Sequence, residues 1–433
     1  MANLIINGGK KLKGEIKTNS AKNSVVAILC ALPIIKGKTT LVDVPRIEEV
    51  NRIIETLTSI GLKIRWVAKH KLEIITPNKL NLESIDKNAY EKTRSAILLI
   101  GSLSNLYKNF SLPRPSGCKL GKRSVSPHVF ALDHLGISVE VNRGNFFITK
   151  KQTKNTDFTL YESGDTVTEN AILASILKPG KTSIHLASPN YMVQDLCHFL
   201  NKAGAKIKGA DTTNLEIIGV KKLKPVKNYT IMPDPIESMA FISIAITTGS
   251  TLKITHCPID FLRLELEKLK IMGQRIDIIK KYKSKNGCFD LVDLKIIPSK
   301  IKALPDKIYA RPFPGLNIDN LPLFVPILMQ AKGESLLFDW VYENRTPYYV
   351  LLNKLGAKIK RLDPHRVIIN GPTKLKPAKI KCPPALRPAI NLLICALGAK
   401  GKSIIYDCYN IDRGYEDICQ RLNKLGADII RTK

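Results

Sequence analysis

The chain has 433 residues, 44% of them hydrophobic, and its 68 Lys and Arg outnumber 37 Asp and Glu to give a formal charge of +31. That length predicts two domains rather than one core, and the apolar content excludes a wholly disordered chain. No apolar run reaches the roughly 18–20 residues of a bilayer span, and the first 14 residues lack the apolar core of a secretory signal, so the expected compartment is the cytoplasm and no membrane partner is expected.

The lysines are spread along the whole chain, in short clusters such as Lys221-Lys222-Leu223-Lys224 and Lys280-Lys281-Tyr282-Lys283. Sparse aromatics and the lack of a nucleic-acid module argue against a nucleic-acid partner and for a solvated surface that attracts anionic ligands. Nine cysteines stand at positions 30, 118, 197, 257, 288, 382, 395, 408 and 419. An odd number with no C-x-x-C pair points to reduced thiols and to no structural metal site.

In chain order, Ser24 to Pro33 is a short apolar stretch. Ile47, Val50, Ile54 and Leu57 then recur at three- and four-residue steps, predicting an amphipathic helix that Gly61 ends. Residues Leu112 to Val125 place Cys118 in a glycine-flanked loop among Arg114, Lys119, Lys122 and Arg123. Nearby cations favour the thiolate and suit a phosphate-bearing substrate, although a buried inert cysteine or a solvated basic loop is also open. Tags of the form apolar-Gly-x-x-apolar follow helical stripes at Gly61, Gly136, Gly204, Gly273, Gly356 and Gly426. The closest pair reads Asn353-Lys354-Leu355-Gly356-Ala357-Lys358-Ile359 and Asn423-Lys424-Leu425-Gly426-Ala427-Asp428-Ile429. Spacings of about 70–80 residues make each unit a compact α/β element, longer than a solenoid repeat. Lys224 to Pro235, polar and proline-rich, is the expected linker between two sets of three repeats. Near the end, Ala389 to Leu397 predicts a helix buried on most sides, Ser403 to Tyr406 a strand, and Tyr415, Ile418, Leu422 and Leu425 a last amphipathic helix.

The ordered set Ser20-Ala21-Lys22-Asn23, Lys92-Thr93-Arg94-Ser95-Ala96, Gly117-Cys118-x-x-Gly121-x-Arg123, Tyr342-Glu343-Asn344-Arg345 and Asn410-Ile411-Asp412-Arg413-Gly414-Tyr415-Glu416 resembles the UDP-N-acetylglucosamine 1-carboxyvinyltransferases from end to end. These are enolpyruvyl transferases of the first committed step of peptidoglycan synthesis. The resemblance implies an α/β fold: a two-domain inside-out α/β barrel built from six βαβαββ repeats. One domain would span 22–229, the other 1–21 plus 230–433, with the active site in the interdomain cleft. It implies transfer of the enolpyruvyl group of phosphoenolpyruvate to the 3′-hydroxyl of UDP-N-acetylglucosamine, with no cofactor and no metal. By that resemblance Cys118 is the proton donor and Asp319 the acceptor of the sugar hydroxyl proton. Lys22, Asn23, Arg123 and Arg413 would bind phosphoenolpyruvate. Arg94, Arg123, Ser124, Val125, Ser126, Asp319 and Val341 would hold the nucleotide sugar, with Arg345 and Arg387 in support. The oligomeric state is not legible.

Plainer roles are open to the same residues. Arg94 and Arg345 can pair with surface carboxylates, Asp319 can cap the helix after it, and His128 reads as a structural hydrogen-bonder. Several positions depart from the family pattern. Gly164-Asp165-Thr166-Val167-Thr168 stands for Ser-Val-Gly-Ala-Thr, Asn190-Tyr191-Met192 for Glu-Pro-Glu, Ala385 for an Asp before Leu-Arg, and Pro235 for a frequent Arg. Ser124 replaces a proline and Ser126 an acidic residue. An aspartate near a diphosphate is repulsive unless countered. Two further readings therefore stand beside the first: a paralogous enolpyruvyl transferase with another acceptor, and a non-catalytic, basic, nucleic-acid-binding descendant.

Overall fold

The structure, a computed structural model, describes residues 2–115, 124–151 and 156–432. Residues 2–19 and 233–432 form one compact unit, and the described residues from 20 to 232 form the other.

The described strands make six sheets, three in each unit. One repeat shows the plan. Strand Asp157–Thr159, helix Asp165–Ser175, strand Lys181–His185, helix Tyr191–Lys202 and strands Lys206–Lys208 and Asn214–Ile218 follow one another. The first strand runs parallel to the second, while the last lies antiparallel between the second and third. Four other sheets have this order, and the sheet of Asn109–Pro113, Ile137–Asn142 and Asn145–Lys150 has three strands. Three sheets take a strand from far away in the chain. Lys13–Lys17 joins Thr251–Pro258, Tyr229–Thr230 joins Gly37–Val42, and Asn3–Gly8 inserts between Gly401–Tyr406 and Ile429–Thr432. The expected linker is thus tied down, because its middle is a sheet edge and Pro235 already opens a helix.

Two kinds of helix follow from two kinds of sequence. Helix Pro235–Thr247 is buried at every residue, and helix Leu386–Gly398 from Arg387 to Leu397. Both are apolar on all sides, as a helix enclosed by other elements must be. They pack with each other and with Leu321–Leu328 in one unit, as Lys22–Ala31, Leu98–Leu103 and Asp165–Ser175 pack in succession in the other. Several polar side chains within these bundles are tied to backbone: Asn391 donates to the Pro322 carbonyl (2.8 Å), Ser243 to the Leu323 carbonyl (2.8 Å), and Asn170 accepts from the Gly101 amide (2.8 Å). The second kind is amphipathic. In Glu48–Ser59 the buried stripe runs through Val50, Ile53 and Leu57, with Ile54 half-buried at its edge rather than at its centre.

All six tag glycines have φ between 76° and 110°, the left-handed region that stops a helix at little steric cost only for glycine. In three tags an asparagine staples the turn. Asn201, Asn353 and Asn423 each accept from the backbone amide of the isoleucine six residues on and donate to its carbonyl, at 2.8–3.0 Å. Among the described residues no helix is long and apolar enough to cross a membrane.

Candidate active site

Asp319 lies on the loop before helix Leu321–Leu328, and this loop is pinned. Asn317 accepts from the Asp319 amide (2.8 Å), while buried Glu265 accepts from the Asn317 amide (3.2 Å) and the Asn320 side chain (2.8 Å). The Asp319 carboxylate turns to Arg387, whose Nη2 donates to Oδ2 at 3.0 Å. Arg387 is the second residue of helix Leu386–Gly398 and only 7% exposed. Its Nη1 donates to the Tyr415 hydroxyl at 3.1 Å, and Asp234 and Asp319 both supply the negative field that a buried guanidinium requires. Asp234 caps helix Pro235–Thr247 through the Ile236 amide (2.8 Å). Burial raises its carboxyl to about 6, against the pull of Arg387 and with a push from Glu237. Glu237 in turn receives Arg421 at 2.6 Å and the Asn19 amide at 2.5 Å. Gly414 sits so close to Leu386 that a Cβ there would fall 2.5 Å from its Cδ2. That contact seats half-buried Arg413 and buried Tyr415 beside the start of the helix that carries Arg387.

The carboxylate that the family pattern leads one to expect at position 385 is replaced by an apolar cluster. Ala385 and Tyr342 are buried together, with Ile318, Val341 and Tyr348 packed against them. Arg345 lies over the Tyr342 ring at 4.4 Å. The guanidinium is fully buried and grips Asp339 with two hydrogen bonds of 2.5 and 2.7 Å, and Tyr349 donates to the same carboxylate at 2.5 Å. Arg345 is therefore neither a surface pair nor an open ligand group: it is a post beneath Tyr342, against whose cluster Val341 packs.

In the other unit Lys22 and Asn23 open helix Lys22–Ala31, both half-buried, and Asn23 donates to the Tyr191 hydroxyl at 3.0 Å. Arg94 donates to the Ser124 carbonyl at 3.1 Å, so it orders the chain there instead of pairing only with a carboxylate. Ser124 Oγ accepts from the Ser126 amide at 3.0 Å and bonds the Ser126 hydroxyl at 2.7 Å, with half-buried Val125 between them. This is a serine turn at the start of helix Ser126–His134. Cys118 and Arg123 lie outside the described residues. His128 has the structural role expected: Asn170 donates to Nδ1 (3.2 Å), which leaves the proton on Nε2 to face Thr166 (3.3 Å).

Two departures from the family pattern answer each other. Asp165 accepts from Ser188 at 2.6 Å, and the Asn190 amide reaches both of its oxygens at 3.2 Å. Asn190, where the family carries an acid, is thus the donor that a new aspartate requires. The sequence did not single out Ser188, Asp234 or Glu237. The signal for Asp234 was present as an Asp-Pro helix start.

The sequence profile of the EPSP synthase (3-phosphoshikimate 1-carboxyvinyltransferase) family matches residues 6–422. The chain belongs to this enolpyruvyl transferase family. It is 33% identical over 434 residues to the UDP-N-acetylglucosamine 1-carboxyvinyltransferase 2 of Clostridium tetani, covering all of both chains. It is 32% identical to the UDP-N-acetylglucosamine 1-carboxyvinyltransferase of Bradyrhizobium diazoefficiens over 99% of this chain and 97% of that one. Among solved structures, the enolpyruvyl transferase NikO from Streptomyces tendae superposes with a TM-score of 0.84 at 21% identity over 100% of this chain and 99% of that one. EPSP synthase from Acinetobacter baumannii gives 0.77 at 18% identity over the whole of both. The enolpyruvyl transferase fold implied by the resemblance is the fold of this protein, and its α/β architecture with separate open sheets is that of its structural neighbours.

Proposed function

We propose that this protein transfers the enolpyruvyl group of phosphoenolpyruvate to the 3′-hydroxyl of UDP-N-acetylglucosamine and releases phosphate, in the cytoplasm, at the entry to peptidoglycan synthesis. The observation that carries the reading is the Asp319 carboxylate, fixed on a pinned loop by Arg387, in a chain whose full-length relatives bear the name of that activity. The reaction is an addition followed by an elimination. The acceptor oxygen bonds to C2 of phosphoenolpyruvate as Asp319 takes its proton, and C3 gains a proton from Cys118. The tetrahedral adduct then loses the C3 proton and expels phosphate, leaving the enol ether. Positioned proton acceptors and donors of this kind contribute about 10²–10⁴ in rate each. Lys22, Arg123 and Arg413 neutralise the anionic donor, with arginine forks matched to carboxylate and phosphate, and Asn23 lies beside Lys22. Arg94, Ser124, Val125, Ser126 and Val341 hold the nucleotide sugar, and Arg345 supports the Tyr342 ring of the cluster that Val341 packs against.

A second reading, an enolpyruvyl transferase for another acceptor, is favoured by one observation: Asp165 with its donors Ser188 and Asn190 rebuilds a surface on the acceptor side. One assay separates the two. Purified protein with phosphoenolpyruvate and UDP-N-acetylglucosamine is expected to release phosphate in step with enolpyruvyl product. Release only with a different nucleotide acceptor establishes the second reading, and no release with any acceptor overturns both.

A further inference from the structure

Arg387 is buried between two carboxylates of different exposure. The Asp319 side chain is 26% exposed, whereas Asp234 is 6% exposed and occupied with its helix cap. Only Asp319 therefore reaches outward from the buried guanidinium. A loop carboxylate free to turn about two torsions points one oxygen at a substrate for only a fraction of the time, and misplacement by about 1 Å can cost 10²-fold in rate. An arginine fork removes that freedom because its donors lie in one rigid plane. The fork itself has no slack here: Tyr415 holds Nη1, Asp319 takes Nη2, and the backbone is helical. Two residues earlier Ala385 contributes a methyl group to an apolar cluster that includes Ile318, the neighbour of Asp319. The loop that carries the carboxylate is thus set from one side by packing and from the other by the fork.

We propose that Arg387, anchored by Tyr415, is a positioning residue that acts through Asp319, holding one carboxylate oxygen so that the other meets the acceptor hydroxyl. This rests on the reading of Asp319 as proton acceptor.

The test is a double-mutant cycle on the full chain, with kcat and both KM values measured for Asp319→Asn, Arg387→Gln and the pair, and with melting curves for each. Arg387→Gln is expected to lower kcat about 10²-fold with both KM values within about threefold, and Arg387→Lys to recover part of the loss. Guanidinium ion added at millimolar concentration is expected to restore kcat of the Gln variant several-fold. The double variant is expected to be no slower than Asp319→Asn alone, since a group acting through another adds nothing once that other is gone. Losses that multiply in the double variant overturn the proposal, as does a rise in the phosphoenolpyruvate KM at unchanged kcat, which would make Arg387 a donor-binding group. Wild-type kcat in Asp319→Asn instead removes the reading of Asp319 and leaves Arg387 a structural ion pair. If Arg387→Gln does not fold, the same cycle is run with Tyr415→Phe, where a multiplied loss is equally fatal.

Discussion

A single buried charge is worth little or much according to what is taken away. The Arg345–Asp339 pair lies entirely out of solvent, so removing one partner strands the other, at a cost of about 3–5 kcal/mol. Arg345→Met is expected to lower the melting temperature by roughly 1 °C for each kcal/mol lost in a chain of 433 residues, and an unchanged melting curve would show that the pair contributes nothing. Asp195 gives a prediction with a sign. Burial raises its carboxyl to about 7, against hydrogen bonds from Tyr229 and the Met232 amide. The unfolded carboxyl titrates near 3.9, so between about pH 4 and pH 7 the folded protein binds the proton and the unfolded chain does not. This contribution is full below pH 4 and lost as the pH rises through 7. Asp234, at about 6, acts in the same direction over a narrower window. Asp195→Asn is expected to melt with a flatter pH dependence between about 4 and 7, and parallel curves would assign the slope to other groups.

At the scale of the element, the asparagine staple explains why three repeats share a motif beyond the glycine. Each Asn satisfies both the amide and the carbonyl of an isoleucine at the start of the strand after the turn. Asn423→Ala is expected to cost about 1–3 kcal/mol, read as a lower melting temperature, while Asn423→Asp keeps the acceptor half and loses less. A loss confined to neither variant would mean that glycine alone makes the turn. The elements were legible to the degree that each carries its own signal. Six glycines at matching places gave the repeat count, because a left-handed φ leaves few alternatives, and the apolar run of Leu386–Gly398 marked an enclosed helix. Ile54 was read at the centre of its stripe and lies at the edge, since three- and four-residue steps fit both Ile53 and Ile54. Tyr229–Thr230 read as linker because a two-residue strand has no periodicity to detect. Within the site, Asp319 and Arg387 came from a family pattern, whereas Asp165, Ser188 and Asn190 meet only in three dimensions and no spacing connects them.

For the molecule as a whole, the charge of +31 predicts behaviour that no single residue does. Both proposed substrates are anions, so a basic surface speeds their encounter, and salt screens it, with a Debye length falling from about 30 Å at 0.01 M to about 10 Å at 0.1 M. kcat/KM for phosphoenolpyruvate is expected to fall several-fold across that range while kcat stays level, and insensitivity would confine the charge to solubility. The thiols supply a second prediction at this scale. Six of the described cysteines are buried, while Cys288 is exposed and Cys419 partly so. An epoxide that mimics phosphoenolpyruvate, such as fosfomycin, is expected to add one equivalent that Cys118→Ser abolishes. Retained labelling in that variant would take Cys118 out of the chemistry.

The inserted strand Asn3–Gly8 bears on how the protein is made. Its neighbours are strands about four hundred residues further along the chain, so the sheet they share stays incomplete until both have been synthesised. The unit of residues 20–232, by contrast, has every strand it needs once Thr230 has emerged. Asn3 also stands opposite Thr432 in register, which brings the first and last described strands side by side. Joined by a few residues and reopened after Met232, the same sequence would run through one unit without interruption and then through the other, a circular permutant in which neither unit has to wait for the other's synthesis.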